Sequence, residues 1–304
     1  MKSNYNLITI TGATASGKTQ VAVALANILN SEIISADSRQ IYKNMDIGTG
    51  KDISEYTIDG KKIPYHLIDI VNAGEKYNVF EFKKDFIKAY NEIINKNKIP
   101  ILCGGTGLYI DAILKNYNLI YTPVNPELRK QLEVLDILEL EKILKTYKSL
   151  HNRSDLDTTK RAIRAIEIEN FYQNNQQLPH DNLNINSLIV GILFEREERR
   201  NRITQRLKFR LENGLIEEVE NLLKMKISSE NIEYYGLEYK FVSWYLSGKI
   251  SYQELFSQLN TAIHQFSKRQ MTWFRKMEND GHKIHWIDGN LPIKEKINKI
   301  LEIF

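Results

Sequence analysis

The chain has 304 residues, of which 42% are apolar, so it is long enough for two ordinary domains or for one domain with a sizeable insertion. Its 42 basic and 38 acidic residues leave a formal net charge of only +4, so any nucleic-acid surface must come from local clusters of charge. The single cysteine, Cys103, excludes an internal disulfide and a metal site built from several cysteines.

The first part of the chain alternates between strand and helix patterns. Residues 5–11 are β-branched and apolar and predict a buried strand, and residues 20–29 have the alanine and leucine content of a helix. The same reasoning gives the other elements of this part: strands at 31–37, 65–71 and 98–105, and a helix at 79–96. Strands that alternate with helices indicate a parallel sheet covered on both faces.

The pattern changes after about residue 115. Residues 116–187 are polar and largely helical, with prolines near their start, and we expect them to form a helical insertion domain. An apolar strand at 188–195 returns the chain to the sheet. Residues 196–278 are then nearly all helical, and residues 283–288 could form a last short strand.

A phosphate-binding loop follows the first predicted strand. The residues GATASGKT match G-x-x-x-x-G-K-[ST] without a mismatch, between a strand and a helix as the motif requires. Its members are Gly12, Ala13, Thr14, Ala15, Ser16, Gly17, Lys18 and Thr19. Backbone N–H groups and Lys18 would hold phosphate oxygens, and the Thr19 hydroxyl would face Mg²⁺. The predicted fold class is therefore α/β: a P-loop NTPase-like parallel sheet core flanked by helices, formed by residues 1–115 and 188–304, with a helical insertion domain.

Two polar clusters are expected at the carboxyl ends of strands, where open α/β sheets bind their ligands. The first is the run Asp37, Ser38, Arg39 and Gln40. Its carboxylate could hold Mg²⁺ or act as a general base, and a capping aspartate in an ordinary loop is the alternative. The second cluster, at residues 104–107, contains three glycines that permit close backbone approach together with the Thr106 hydroxyl; a plain turn fits it equally well.

The sequence lacks one part of an ordinary P-loop NTPase, which needs an acid at the end of a core strand to hold Mg²⁺. Strand 98–105 ends in Cys103 and two glycines, and Asp69 is expected to lie inside strand 65–71. These positions argue against a simple ATPase. Cys103 itself is interpreted as a small buried residue and not as a nucleophile.

Three predicted helices carry basic residues that could meet a polyanion, although a solvated helix face is the simpler interpretation of each. They contain Lys160, Arg161 and Arg164; Arg202, Arg206 and Arg210; and Lys268, Arg269, Arg275 and Lys276. In the third helix Leu259, Ile263, Phe266, Trp273, Phe274 and Met277 are predicted to share one apolar face. Gln270 falls inside that face, so we expect it to be buried with a hydrogen-bond partner.

The order and spacing of several motifs resemble those of the tRNA isopentenyltransferases, the tRNA dimethylallyltransferase family. The motifs are GATASGKT, SADSRQIYKNMDIGTGK, IPILCGGTGLYI, TKRAIRAIE and SKRQMTWFR, and the resemblance extends from about Leu7 to Trp286. It implies a P-loop core with a helical insertion and an adenine drawn out of the RNA into a channel. The implied reaction transfers a dimethylallyl group from dimethylallyl diphosphate to the exocyclic amine of the adenosine 3′ of the tRNA anticodon.

The resemblance also implies roles for individual residues. Asp37 would be the general base on the exocyclic amine, and Thr106 would hydrogen-bond near the acceptor or the leaving diphosphate. Lys18, Thr19 and the loop amides would hold the diphosphate together with Mg²⁺, and Arg206 would help to neutralise it. The positions that match tRNA-facing residues of the family are Asp37, Ser38, Arg39, Gln40, Thr106, Arg129, Lys160, Arg161, Ala162, Ile163 and Arg164.

One stretch departs from the family pattern, which is often G-Y-[KR]-[EQ]. Here it is Gly236, Leu237, Glu238 and Tyr239, so an acid replaces the basic residue that the family pattern implies at this point. A small-molecule P-loop kinase, an adenylate isopentenyltransferase and an RNA-binding protein without catalysis are the competing interpretations. No signal peptide or transmembrane segment is predicted, and the expectation is a soluble, cytosolic and monomeric protein of the short bacterial form.

Overall fold

The computed structural model describes residues 4–149, 154–175 and 183–304. They form two compact units. The first combines Met1–Tyr117 with Leu183–Phe304, and the second is Asn118–Asn182. In the part of the chain that is described, no helix is long and apolar enough to cross a membrane.

A six-stranded sheet forms the centre of the first unit. The strands in chain order are β1 (Leu7–Thr11), β2 (Ile33–Ser35), β3 (Thr57–Ile58), β4 (Lys61–Lys62), β5 (Tyr65–His66), β6 (Ile101–Gly104), β7 (Ser187–Leu193) and β8 (Ile284–Asp288). The order in the sheet is β5-β2-β6-β1-β7-β8, and every neighbouring pair is parallel, which confirms the predicted fold class. β3 and β4 form a separate antiparallel pair.

The register of the central strands places their carboxyl ends side by side. Thr11 at the end of β1 is aligned with Gly104 in β6 and with Gly191 in β7. All residues of β1 and β6 are buried, so the loops that follow them emerge from a rigid, well-packed edge. This edge is where the phosphate-binding loop and the 104–107 cluster meet.

The strand predicted at 65–71 is shorter than expected. β5 ends at His66 because Leu67 and Asp69 adopt positive φ angles of 62° and 57°, which no strand accommodates. Asp69 therefore lies in a loop and not inside a strand, and its carboxylate forms an ion pair with the buried ammonium of Lys51. Since Asp69 neutralises Lys51, it is not the missing acid of an NTPase site.

The helices account for most of the remaining chain. In chain order they are α1 (Lys18–Ile28), α2 (Val79–Ile94), α3 (Gly107–Leu114), α4 (Pro126–Leu132), α5 (Ile137–Tyr147), α6 (Thr159–Asn174), α7 (Arg196–Glu212), α8 (Leu215–Lys224), α9 (Ser229–Tyr234), α10 (Leu237–Leu246), α11 (Tyr252–Asn279) and α12 (Ile293–Ile303). α4 to α6 belong to the second unit, and the others belong to the first.

The long helix α11 begins at a capping box, in which Ser251 and Glu254 satisfy each other's free backbone N–H groups. Its predicted apolar face is buried at Leu259, Ile263, Phe274 and Met277. Phe266, by contrast, is 39% exposed, and Trp273 is only partly buried. Both side chains line a cavity, together with Ile263 and Gln270 of the same face.

The second unit has a small apolar core of its own. Leu140, Leu144, Ala162 and Ile166 pack together between α5 and α6. Beside this core lies Glu167. Burial alone would raise the pKa of this carboxyl, but hydrogen bonds from Arg129 and others outweigh burial and lower the pKa.

Candidate active site

Two glycines shape the phosphate-binding loop. Gly12 has φ +156°, and a Cβ there would lie 2.7 Å from Ser16 Oγ and 2.9 Å from the Ile192 carbonyl oxygen. Gly17, with φ +72°, is the N-cap of α1 in a left-handed conformation. Both positions need glycine because an L side chain would be strained there or would clash. The loop consequently turns tightly just before Lys18, the first residue of α1.

Gln270 of α11 ties this loop to the 104–107 cluster. Its Oε1 accepts a hydrogen bond from the Thr14 backbone N–H at 2.8 Å, and its Nε2 donates to the Gly105 carbonyl at 2.9 Å. The side chain is buried and both of its polar groups are paired, as the sequence predicted. One amide therefore sets the spacing between the two loops that follow β1 and β6.

Two arginines of α7 reach the same loop. Arg206 donates from Nη2 to the Thr14 hydroxyl, and Arg202 donates from Nε to the Ala15 carbonyl at 3.0 Å. They are four residues apart and so share one face of the helix. This face of the predicted arginine stripe therefore contacts the phosphate-binding loop and is not a freely solvated surface.

The loop after β2 brings Asp37 next to Thr106. The Ser38 backbone N–H donates to Thr106 Oγ1 at 3.0 Å, and the Arg39 N–H donates to Asp37 Oδ1 at 2.9 Å. Gly104 permits this approach, because a Cβ there would lie only 2.2 Å from the Ala36 carbonyl oxygen. The two clusters that the sequence placed at strand ends thus form one wall.

These side chains surround two adjoining cavities of about 510 and about 420 Å³. Both cavities are lined by Thr14, Lys18, Asp37, Thr49 and Arg206. The larger one also contacts apolar side chains, namely Leu108, Leu237, Ile263, Phe266 and Trp273. The smaller one contains the rest of the phosphate-binding loop, from Ala15 to Thr19. The smaller cavity is therefore an anion cradle and the larger one an apolar chamber. The two adjoin at Asp37.

In the protein without a ligand, burial destabilises the charged forms of the cations of this site. It lowers the pKa of Lys18, although Cys103 and Asp37 act in the opposite direction. Burial, followed by the repulsion of Arg210, lowers the pKa of Arg206 to about 9. Positive groups that are desolvated and close together bind an anion strongly, since the anion supplies the missing counter-charge.

Glu238, the acid that replaces a basic residue of the family pattern, lines the larger cavity. Burial raises the pKa of this carboxyl, and Arg210 is the largest influence that opposes the rise. Neither residue was predicted as part of the site. The recurrence of arginine every four residues in α7 was the available signal for Arg210, but spacing alone does not tell which arginines turn inward.

Cys103 is buried at the end of β6, where burial raises the pKa of its thiol to about 12. It is therefore a poor nucleophile near neutral pH, in agreement with its predicted packing role. Among the described residues, no group of three or more His, Cys, Asp or Glu side chains is arranged to hold a metal ion. The side-chain oxygens that line the smaller cavity include those of Thr19, Asp52 and Glu55.

The other candidate tRNA-binding residues lie in the second unit. Lys160 is exposed, while Arg161 pairs with Asp157 at 2.5 Å. Arg164 donates to the Thr122 carbonyl and to Glu167, which also receives two hydrogen bonds from Arg129. The two remaining candidates are Ala162 and Ile163, and both have buried side chains.

The chain matches two family profiles and many related proteins. A family described as IPP transferase matches residues 40–277, and one described as isopentenyl transferase matches residues 5–66. A tRNA dimethylallyltransferase of Bacteroides fragilis is 57% identical over 97% of this chain and 96% of its own length. Another from Phocaeicola vulgatus is 54% identical over 98% of this chain and 97% of its own length.

Two solved structures also resemble this chain. The tRNA isopentenylpyrophosphate transferase of Bacillus halodurans has a TM-score of 0.71 at 30% identity and covers 98% of this chain and 94% of its own. A eukaryotic dimethylallyltransferase that acts on tRNA has a TM-score of 0.77 at 23% identity, covering 93% and 73%, and supports the fold alone. The profile match over most of the chain and the near full-length relatives place this protein in the tRNA dimethylallyltransferase family.

Proposed function

We propose that this chain transfers the dimethylallyl group of dimethylallyl diphosphate to the exocyclic N6 amine of the adenosine 3′ of the anticodon in tRNA. The observation that carries the proposal is that Lys18, Arg206 and Asp37 line the same two cavities. A diphosphate in the cradle and a nucleobase in the chamber would then meet at the one carboxylate between them.

The reaction exchanges one bond for another. The bond between the allylic C1 and the diphosphate oxygen breaks, and a bond between N6 and C1 forms. The N6 proton passes to the Asp37 carboxylate, and diphosphate leaves. An adenine amine is a weak nucleophile because its lone pair is delocalised into the ring, so general-base assistance of about 10²–10⁴-fold is expected.

The cradle stabilises the leaving group. Negative charge grows on the diphosphate as the allylic bond lengthens, and Lys18, Arg206 and the phosphate-binding loop line the cavity in which it would lie. Charged and polar groups that the protein holds in place need not reorient during the reaction. They therefore lower the barrier to bond breaking more than the same groups would in water. The apolar wall of Leu237, Ile263 and Trp273 suits a five-carbon prenyl chain and limits the entry of water, which would hydrolyse a developing allylic cation.

We expect Mg²⁺ to assist the diphosphate. Mg²⁺ prefers hard oxygen ligands, keeps several waters and often takes only one or two protein ligands besides substrate phosphates. The hydroxyl of Thr19, with the Asp52 and Glu55 carboxylates in the same cavity, fits those requirements. When bound, the ion would neutralise charge on the departing diphosphate.

The acceptor is proposed to be held by two groups of residues. Ser38, Arg39, Gln40 and Thr106 would contact the target nucleotide beside Asp37. Arg129 and residues 160–164 of the second unit would contact the tRNA backbone, with exposed Lys160 as the most direct candidate. Ala162 and Ile163 would contribute by placing their charged neighbours, since their own side chains are buried.

The test is to incubate the protein with unmodified tRNA, dimethylallyl diphosphate and Mg²⁺, and to analyse the digested nucleosides by mass spectrometry. We expect one adenosine, 3′ of the anticodon, to gain a five-carbon group. A parallel reaction with adenosine monophosphate should give no product. Prenylation of the free nucleotide but not of tRNA, or no product in either reaction, would refute the proposed function.

A further inference from the structure

Arg210 is a buried cation that the proposed reaction does not yet use. It lies on α7 one turn after Arg206, lines the larger cavity, and has a side chain that is only 8% exposed. Within the described parts of the chain its Nη2 atom has no hydrogen-bond partner. A guanidinium normally forms several hydrogen bonds when it is buried, so this arrangement indicates a missing partner.

The only ion pair recorded for Arg210 among the described residues is weak. Asp52 Oδ2 is 3.7 Å from Nη2, beyond hydrogen-bond distance, and the Asp52 side chain is 52% exposed. A half-exposed carboxylate at this distance offsets little of the cost of burying a guanidinium. Asp52 therefore does not account for the position of Arg210.

The backbone at Gly50 leaves room for the Arg210 guanidinium. Gly50 has φ +66°, and a Cβ there would lie 2.2 Å from Arg210 Nη2. Its carbonyl accepts a hydrogen bond from the Gln40 side chain at 2.9 Å, which fixes this segment against the loop that carries Asp37. Gly50 lines the smaller cavity, so Arg210, which lines the larger cavity, has its Nη2 next to the anion cradle.

The charges around Arg210 are arranged as in an anion site. Arg206 and Arg210 repel each other, which contributes to the lowered pKa of Arg206. Glu238 lines the same cavity as Arg210, which is the largest of the influences that oppose the raised pKa of this carboxyl, and it stands where the family pattern often has a basic residue. Arg210 therefore supplies from α7 a positive charge that the stretch beginning at Gly236 lacks.

We propose that Arg210 is a second diphosphate-binding arginine, which forms a guanidinium pair with Arg206 around the donor, and that Glu238 is its counter-ion before the donor binds. This inference rests on the proposed function, because it takes the donor to be an organic diphosphate. Guanidinium groups match phosphate oxygens in a two-pronged geometry, so a second one adds both affinity and orientation.

The decisive variant is Arg210→Met, compared with Lys208→Met. Both remove one positive charge from α7, but Lys208 is exposed and lines neither cavity. Isothermal titration with dimethylallyl diphosphate and with inorganic pyrophosphate, each with Mg²⁺, should give affinities about tenfold or more weaker for Arg210→Met. The affinities of Lys208→Met should stay within about twofold of the unaltered protein.

Removing Arg210 leaves Glu238 without its counter-ion, so thermal unfolding is measured for each variant. The double variant Arg210→Met/Glu238→Gln removes the isolated carboxylate and should show the same loss of donor affinity. Arg210→Lys keeps the charge without the planar fork; it is expected to fold, and its donor affinity should fall by about threefold or more. Unchanged donor affinity in any folded Arg210 variant would overturn the proposal.

Binding of unmodified tRNA distinguishes the donor from an RNA phosphate as the ligand of Arg210. We expect tRNA affinity to change by less than about twofold in Arg210→Met. A loss of tRNA affinity with donor affinity retained would assign Arg210 to the RNA and refute the proposal. If the unaltered protein binds the donor through Arg210 but does not prenylate tRNA, the proposed function fails while the diphosphate site stands.

Discussion

Asp37 is held in a fixed orientation while it remains accessible to both cavities. The Arg39 backbone N–H fixes Oδ1 at 2.9 Å, and the residue lines the cradle and the apolar chamber alike. A base must lie within hydrogen-bond reach of the proton that it removes. This hydrogen bond fixes the carboxylate. The role of Asp37 therefore depends on the charge of its carboxylate more than on movement of the side chain.

Asp37→Asn therefore separates catalysis from binding. The amide keeps the shape and can still accept the Arg39 hydrogen bond through its oxygen, but it cannot take a proton. We expect the single-turnover rate of prenyl transfer to fall by about 10²-fold or more, with donor and tRNA affinities nearly unchanged. Asp59→Asn, at an exposed turn outside both cavities, is the matched control. Substantial transfer activity in Asp37→Asn would remove Asp37 as the base.

The buried cations predict how donor binding depends on pH. Burial lowers the pKa of Lys18, and burial with Arg210 lowers the pKa of Arg206 to about 9. Both groups must be protonated to bind the donor, whose phosphates are already ionised above neutral pH. Affinity should thus weaken as pH rises through about 9, where Arg206 loses its proton.

This pH dependence is measured by titration calorimetry with dimethylallyl diphosphate between pH 7 and pH 10, with circular dichroism to confirm that the fold persists. Lys18→Met should bind the donor more weakly at every pH and should show a smaller change across the range. An affinity that stays constant up to pH 10 would show that neither cation titrates in this window.

At the scale of elements, the loop after β2 is held in place by a helix far along the chain. The Glu218 carboxylate of α8 accepts hydrogen bonds from the backbone N–H groups of Asp46 and Ile47 at 2.7 Å and of Gly48 at 2.9 Å, and one from the Tyr239 hydroxyl at 2.7 Å. Residues 48 and 49 of this loop line the larger cavity. Glu218 is therefore a positioning residue for one wall of the site.

Glu218→Gln tests this clamp. An amide has only one acceptor oxygen and presents N–H donors to groups that are themselves donors, so several hydrogen bonds are lost. We expect the free energy of unfolding, measured in urea, to fall by about 2 kcal/mol or more, and the KM for the donor to rise. Glu217→Gln, at the exposed neighbouring position, should change neither quantity appreciably. Equal effects in both variants would contradict the clamp.

Local patterns predicted the elements well where one physical signal was sufficient. The phosphate-binding loop, β1, β6 and the buried amide of Gln270 follow from glycine spacing, apolar runs and the helical period. The end of β5 did not, because the positive φ angles of Leu67 and Asp69 and the ion pair of Asp69 with Lys51 leave no trace in a local apolar pattern. The apolar face of α11 was predicted, but periodicity does not distinguish its core part from the part at Phe266 that lines a cavity.

At the scale of the whole molecule, the site is assembled from distant parts of the chain. Thr14 and Gln270 are 256 residues apart in sequence, and Arg206 and Thr14 are 192 apart. Parallel strand order brings the early loops together, but only packing brings α7, α10 and α11 over them. This is why the sequence named Arg210 only as one of several basic residues and Glu238 only as a departure from the family pattern, although the residues at strand ends could be assigned to the site beforehand.

The division into two units leads to a prediction about RNA binding. Lys160 is exposed on α6 in the second unit, and every residue of the diphosphate cradle belongs to the first. Lys160→Gln should therefore weaken tRNA binding and leave the affinity for dimethylallyl diphosphate unchanged. A phosphate contact releases counter-ions, so the variant should also flatten the plot of log affinity against log salt concentration by about 0.9.

Lys142→Gln is the control, because it removes an exposed positive charge from the neighbouring helix α5 of the same unit. Filter binding of unmodified tRNA between about 50 and 200 mM salt gives the slope for each variant. If the two variants have the same slope as the unaltered protein, Lys160 makes no phosphate contact. A loss of affinity with an unchanged slope would instead indicate that the substitution acts through the structure of α6, since only a direct ionic contact changes the number of counter-ions released.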